Sequence, residues 1–262
     1  MTGVPSVLIT GASTGIGATY AQRFARRGHD LVLVARDLSR MEALAARLRQ
    51  ESGVAVDILQ ADLTQPADLA RVEARLRDDD RIGILVNNAG TALGGSFVDQ
   101  SADDVARLVA LNTTAPLRLA SAIAPRLAKA GEGAIINIGS VVGLAPEFGM
   151  SVYGATKAFV LFLSQGLSVE LGPKGVYVQA VLPAATRTEI WGHAGTDVDT
   201  LPNVMEVGDL VDAALVGFDR REPVTIPPLP DAGQWDALEA ARQAMLPNYR
   251  NQHPAERYRK AA

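Results

Sequence analysis

Short apolar runs alternate with longer amphipathic stretches along most of the chain. The runs are VPSVLIT (4–10), DLVLVA (30–35), VAVDILQ (54–60), IGILVN (82–87), GAIINIG (133–139), VYVQAVL (176–182) and PVTIP (223–227). Each is short, rich in β-branched residues and almost free of polar alternation. Strands of that kind are covered on both faces, as in a parallel sheet between helices. The intervening stretches at 15–27, 39–52, 67–77, 102–130, 152–171 and 207–218 carry helical patterns. Strand and helix in turn, joined by short links, predict an α/β fold. The expected form is a doubly wound Rossmann-type domain, with a seven-stranded, mostly parallel sheet and helices on both faces. No linker, repeat or low-complexity tract divides the chain. Residues 1–262 therefore read as a single domain with a less typical C-terminal tail from about residue 230.

One helical stretch stands apart. From 152 to 171, Val152, Phe159, Val160, Phe162, Leu163, Leu167 and Leu171 leave almost no polar face. A helix apolar all round is buried all round. One side is expected against the sheet and the other against a second subunit, which implies a homodimer or homotetramer. Yet Tyr153 and Lys157, four residues apart, share one face of this helix. Taken alone, the pair reads as a core tyrosine beside a snorkelling lysine. The rest of the chain changes that reading.

TGASTGIG (10–17) directly follows the first strand and opens the first helix. Gly11, Gly15 and Gly17 let the backbone turn tightly and approach a ligand. The helix start then presents free N–H groups and a positive dipole end to a pyrophosphate. Strand before and helix after are the context a dinucleotide site requires. Gly11, Ser13, Thr14, Gly15, Ile16 and Gly17 are its candidate contacts. At the end of the second strand, an NAD site wants a carboxylate for the ribose 2′-OH. Ala35 stands there, followed by Arg36, whose guanidinium suits a 2′-phosphate. The alternative makes Arg36 a surface charge and gives the ribose to Asp37. NADP(H) is thus the expected cofactor, with NAD(H) less favoured.

Composition removes other classes. The formal charge is −4 and no Lys/Arg block occurs, so a nucleic-acid partner has no electrostatic footprint. With no cysteine, thiol catalysis is excluded. His29, His193 and His253 are scattered, without metal-ligand spacing. No apolar stretch is long enough for a membrane span, and the N-terminus lacks the pattern of a signal peptide. A cytoplasmic protein is expected.

Together these motifs resemble the short-chain dehydrogenases/reductases, in their single-domain form, over the chain up to about residue 226. TGASTGIG resembles that family's glycine motif. Asp62-Leu63 resembles its adenine-binding pair, and NNAG (87–90), with Asn88, Ala89 and Gly90, its fourth-strand motif. Asn112, Ser140, Tyr153 and Lys157 are similar to its catalytic tetrad in order and separation. Pro183 and Thr188 match the segment after the sixth strand that meets the nicotinamide. Ala184 stands where the family usually has Gly.

The resemblance implies roles for the tetrad. Tyr153 is the expected acid in reduction and base in oxidation. A free phenol titrates at about 10, and the Lys157 charge favours the phenolate. Lys157 also holds the ribose, and Ser140 donates a hydrogen bond to the substrate oxygen. Pro116 has no N–H for the carbonyl of Asn112, one turn earlier. The family uses that carbonyl to hold a water on a proton path to Lys157. The bland reading is a simple proline kink.

Likewise, the expected substrate wall holds Ser140, Val142, Phe148, Tyr153 and Trp191, with Thr91, Leu93, Val141, Leu144 and Met150 nearby. It is mostly apolar, which implies an uncharged, moderately hydrophobic ketone, aldehyde or secondary alcohol. Two other readings share these motifs. One is a catalytically silent NADP-binding regulatory protein of the same fold. The other is a sugar-nucleotide epimerase or dehydratase, for whose substrate domain the C-terminal region leaves little room.

Overall fold

The computed structural model describes residues 3–193, 195 and 197–259; the side chain of His193 lies outside the described residues. The chain divides into two compact units, Met1–Pro227 and Pro228–Ala262.

The first unit is built on seven strands: β1 (Ser6–Thr10), β2 (Leu31–Ala35), β3 (Val56–Gln60), β4 (Ile82–Asn87), β5 (Ala134–Ile138), β6 (Tyr177–Val181) and β7 (Val224–Thr225). Their order is β3-β2-β1-β4-β5-β6-β7, and every pairing is parallel. The helices are α1 (Gly15–Arg26), α2 (Leu38–Ser52), α3 (Pro66–Asp78), α4 (Ala102–Val109), α5 (Ala115–Ala130), α6 (Ser151–Leu171), α7 (Ile190–His193) and α8 (Val207–Asp219). One core packs α1, α2 and α8 on the sheet through Tyr20, Phe24, Met41, Leu48, Val211 and Leu215. On the opposite face a second core joins α3, α5 and α6 through Leu69, Val72, Leu76, Leu119, Ile123 and Leu171. Strands β1, β2, β4, β5 and β6 are buried from end to end, which accounts for their unbroken apolar runs.

Chain order reverses between β1 and β4. The crevice at the carboxyl ends of the strands opens at such a switch point. Thr10 ends β1 at that edge, and Asn88, Ser140 and Pro183 follow strands that end there.

One helical stretch differs from expectation. The stretch 102–130 is not one α-helix: a π-helical segment, Ala110–Thr114, separates α4 from α5. Ala115 N–H reaches back to the Ala110 carbonyl, and Pro116 lies at the start of α5. A proline cannot continue the i→i−4 ladder, and the wider turn accommodates it. Helix α6 buries only one face within the chain, through Thr156, Lys157, Val160, Leu161, Ser164 and Leu171. On its other face Phe162 is 78% exposed and Val169 77%.

The second unit holds α9 (Ala232–Ala244), capped where Asp231 Oδ1 accepts the Gly233 N–H at 2.8 Å. None of the residues of α9 is buried.

Candidate active site

The glycine turn is fixed from below. Thr10, the last residue of β1, accepts the N–H groups of Asn88 and Ala89 on its hydroxyl, both at 3.0 Å. Asn88 Nδ2 returns to the carbonyls of Thr10 (2.9 Å) and Gly11 (3.2 Å). The Asn88 side chain therefore holds the turn together. Gly11 (φ +65°) and Gly15 (φ +53°) use the left-handed backbone that glycine permits. The Thr14 side chain makes no cap at the start of α1, and no acidic residue lies in its first turn. The leading amides are thus left to an anion.

Gly17 has no room for a side chain. A Cβ there would lie 2.3 Å from the Gly11 carbonyl oxygen and 2.6 Å from Asn88 Nδ2. Because the first contact is backbone, Gly17→Ala must shift the turn itself. A loss of about 1–3 kcal/mol is expected from such overpacking, together with weakened dinucleotide binding. Thermal unfolding and cofactor titration check both; an alanine variant equal to wild type in both would show that the turn yields.

At the far end of the crevice, Arg36 is exposed and, among the described residues, has no acidic partner. Both neighbouring carboxylates are engaged. Asp37 caps α2, its Oδ1 accepting the Arg40 N–H at 3.0 Å, and its Oδ2 lies 3.3 Å from Arg40 Nε. Asp62 Oδ1 accepts both the N–H (3.0 Å) and the hydroxyl (2.7 Å) of Thr64, while Leu63 is buried beside it. The guanidinium of Arg36 is thereby left available for an added anion.

Helix α6 carries Tyr153 and Lys157 to the ends of β4 and β5. Lys157 Nζ donates to the Ile138 carbonyl at 3.0 Å and lies 5.6 Å from the centre of the Tyr153 ring. Gly90 faces the same group: a Cβ on it would come within 3.6 Å of Lys157 Nζ. Burial pulls the Lys157 amine down to about 8. Burial also pushes the Tyr153 phenol up to about 12, with the Ser140 hydroxyl acting the other way. Without a bound cation, the pair is therefore a protonated phenol beside an amine that is charged below about pH 8. The lysine charge is expected from the sequence to lower the phenol; in the structure burial raises it, opposed by the Ser140 hydroxyl.

Ser140 follows β5. Its hydroxyl donates to the Pro183 carbonyl at 3.3 Å and accepts the Val142 N–H at 3.2 Å. A serine has one proton, so donation to a substrate oxygen requires it to leave Pro183. Asn112 is buried in the π-helical segment. Its side chain clamps Thr91 at two points, accepting the N–H (3.0 Å) and donating to the carbonyl (2.9 Å), and also donates to Thr156 Oγ1 at 3.2 Å. The side chain braces the wall.

Beyond β6, Ala184 takes the usual glycine position without a positive φ, so its methyl costs no backbone strain. Thr188 lies against the glycine turn: a Cβ on Gly15 would be 3.2 Å from Thr188 Cγ2. Trp191 Nε1 donates to the Thr186 carbonyl at 2.8 Å. Val142 is half-buried, whereas Phe148 is 61% exposed.

Some contributors were not singled out from the sequence. Thr10 organises the glycine turn, and Thr156 links Tyr153 to Asn112, its hydroxyl donating to the Tyr153 carbonyl at 2.7 Å. Both are small polar residues in buried positions, and their position beside the motifs was the only signal.

This constellation on an all-parallel doubly wound sheet defines a class. The short chain dehydrogenase family model matches residues 5–199. The chain belongs to the short-chain dehydrogenase family. A short-chain dehydrogenase from Sphingobium yanoikuyae, solved in complex with NADPH, is 73% identical. The match covers 98% of this chain and 100% of that one, with a TM-score of 0.96. The bulky-bulky ketone specific alcohol dehydrogenase from Comamonas testosteroni is 64% identical, covering 98% and 99%, with a TM-score of 0.92. Among curated relatives, serine 3-dehydrogenase of Agrobacterium fabrum is 41% identical over 70% of this chain and 73% of its own length. Human 17-beta-hydroxysteroid dehydrogenase type 3 is 34% identical over 74% of this chain, which spans 63% of that protein.

Proposed function

We propose that the protein is an NADP(H)-dependent ketone reductase and alcohol dehydrogenase, with Tyr153 as its proton donor and acceptor. The observation that carries this is the meeting of Tyr153, Lys157 and Ser140 with Gly90 at the strand ends, one crevice away from the open amides of α1. A dinucleotide phosphate fits the donor set: uncapped amides at Gly15–Gly17 for the pyrophosphate, and the unpaired Arg36 for a 2′-phosphate. Lys157, Thr188 and Pro183 would hold the nicotinamide end. When bound, the cofactor supplies or accepts the hydride.

The chain's own groups handle the proton. In reduction, Tyr153 gives its proton to the developing alkoxide, and Ser140 turns from Pro183 to donate to the same oxygen. Lys157, held by the Ile138 carbonyl, keeps positive charge beside the phenol as it loses its proton. The half-buried apolar wall of Val142, Leu93 and Met150 excludes water and favours uncharged substrates. Similarity to the Comamonas enzyme supports ketones with bulky groups on both sides of the carbonyl. The exposed Phe162 and Val169 on α6 support the expected homo-oligomer. The test is NADPH oxidation against a panel of ketones graded in size on each side. No turnover with any of them would overturn the reading.

A pH dependence follows. In the free protein the Tyr153 proton stays in place through neutral pH, because the phenol is pushed up to about 12. Lys157 loses its charge as pH passes about 8. Reduction followed as kcat/KM for NADPH reports the free protein. It is expected to be level below pH 8 and to fall above it, approaching about tenfold per unit. The stability term has the opposite sense. Unfolded lysine binds its proton up to about 10.4, so between the two values the unfolded chain holds the extra proton and stability rises with pH. A rate that stays level to about pH 10 would detach the Lys157 charge from the reaction.

A further inference from the structure

The segment after β6 does more than line the crevice. Thr188 packs against Gly15, and the next residue, Glu189, reaches α2. There Arg40 Nη1 donates to both carboxylate oxygens of Glu189, at 2.9 and 2.8 Å. Four strand spacings separate β6 from β2, about 19 Å. The stretch from Leu182 to Glu189 bends locally, with the Thr186 hydroxyl on the Ala184 carbonyl at 3.0 Å, and the long Arg40 and Glu189 side chains span the rest of the distance. With Thr188 against Gly15, the segment runs along the carboxyl edge of the sheet to the start of α1. Its far end is tied to the helix that follows Arg36. The near end is fixed separately. Thr186 pairs with Met205, and Arg187 forms ion pairs with Asp199 and Glu206.

We propose that the Arg40–Glu189 pair is a strap that holds this segment across the bound dinucleotide, so that Arg40 and Glu189 are positioning residues for cofactor retention. The inference rests on the NADP(H) reading above. Arg40 is already committed to Glu189 and Asp37, whereas Arg36 is free, so the two arginines have different tasks. Arg36 meets the 2′-phosphate and distinguishes the cofactors. Arg40 acts through Glu189 on the whole crossing segment and treats both cofactors alike. Both partners are about half exposed, at 50% and 61% of their side chains. Exposed pairs are weak and screened by salt. The strap is accordingly one that opens and closes, not a permanent seal.

The experiment is stopped-flow release of NADPH and of NADH from wild type, Glu189→Gln, Arg40→Gln and the double variant. Expected is a rise of about two- to fivefold in the release rate of both cofactors. The rise should be the same in each single variant and no larger in the double. Raised salt should speed release from wild type more than from the variants, which keep only the salt-sensitive contacts of the cofactor itself. The conservative Arg40→Lys, which keeps a positive charge facing both Glu189 and Asp37, should restore most of the slow release, which Arg40→Gln does not. Faster release of NADPH alone would make Arg40 a phosphate ligand and overturn the strap. Unchanged release in all variants would overturn it too. If wild type bound neither cofactor, the functional reading itself would fail, a distinct result.

Discussion

Tyr153→Phe is expected to bind NADPH as wild type does and to lose about 10²- to 10⁴-fold of ketone reduction, the usual contribution of a positioned proton donor. The substitution keeps the ring, and with it the surface on which Lys157 Nζ rests 5.6 Å from the centroid. Only the hydroxyl goes. That hydroxyl carries its proton throughout the neutral range because burial pushes it up to about 12. No neighbour can replace it. Ser140 offers a hydrogen bond and not an acidic proton, and Lys157 is held by the Ile138 carbonyl. Because the interaction forms only as the alkoxide develops, kcat and kcat/KM should fall together. Steady-state kinetics with one good ketone, alongside cofactor titration, decide it. Activity within a few-fold of wild type would remove Tyr153 from the chemistry.

Arg36→Ala should erase a preference for NADPH over NADH of about 10- to 100-fold, the scale of one charge-assisted hydrogen bond or a bidentate pair. Binding of NADH should change little, since Ala35 offers the 2′-OH no carboxylate. Had Asp37 or Asp62 held Arg36, the guanidinium would have been spent. Instead Asp37 caps α2 and Asp62 holds Thr64. Dissociation constants of both reduced cofactors, for wild type and variant, measure the effect. A wild type that binds NADH as tightly as NADPH, or a variant that keeps its discrimination, would return attention to Asp37.

The strands were legible because each is buried along its length, and burial on both faces writes a continuous β-branched run. The glycine turn was legible because backbone geometry restricts it: no other residue fits at Gly17. Tyr153 and Lys157 were legible from helical spacing. The stretch 102–130 is helical throughout, as its pattern predicts, but the π-helical turn within it leaves no periodic mark beyond the proline that follows it. The all-apolar helix was read correctly as a pattern. Its outer face, though, lies open in the single chain, where Phe162 and Val169 remain exposed.

What the sequence by itself determined are the features set by neighbours along the chain: strand and helix alternation, the turn at Gly11–Gly17, and the shared face of Tyr153 and Lys157. Tertiary structure alone decided which polar groups are already spent. Asn112 turns its side chain to Thr91 and Thr156, and Asn88 grips the glycine turn. Asp37 is drawn to its own helix, leaving Arg36 free. Arg40 finds Glu189 across 149 positions. The physical reason is that hydrogen bonds and ion pairs form through space, between groups that the sheet brings to one edge. A linear pattern records which residues can make such contacts, and only the folded chain selects the partners.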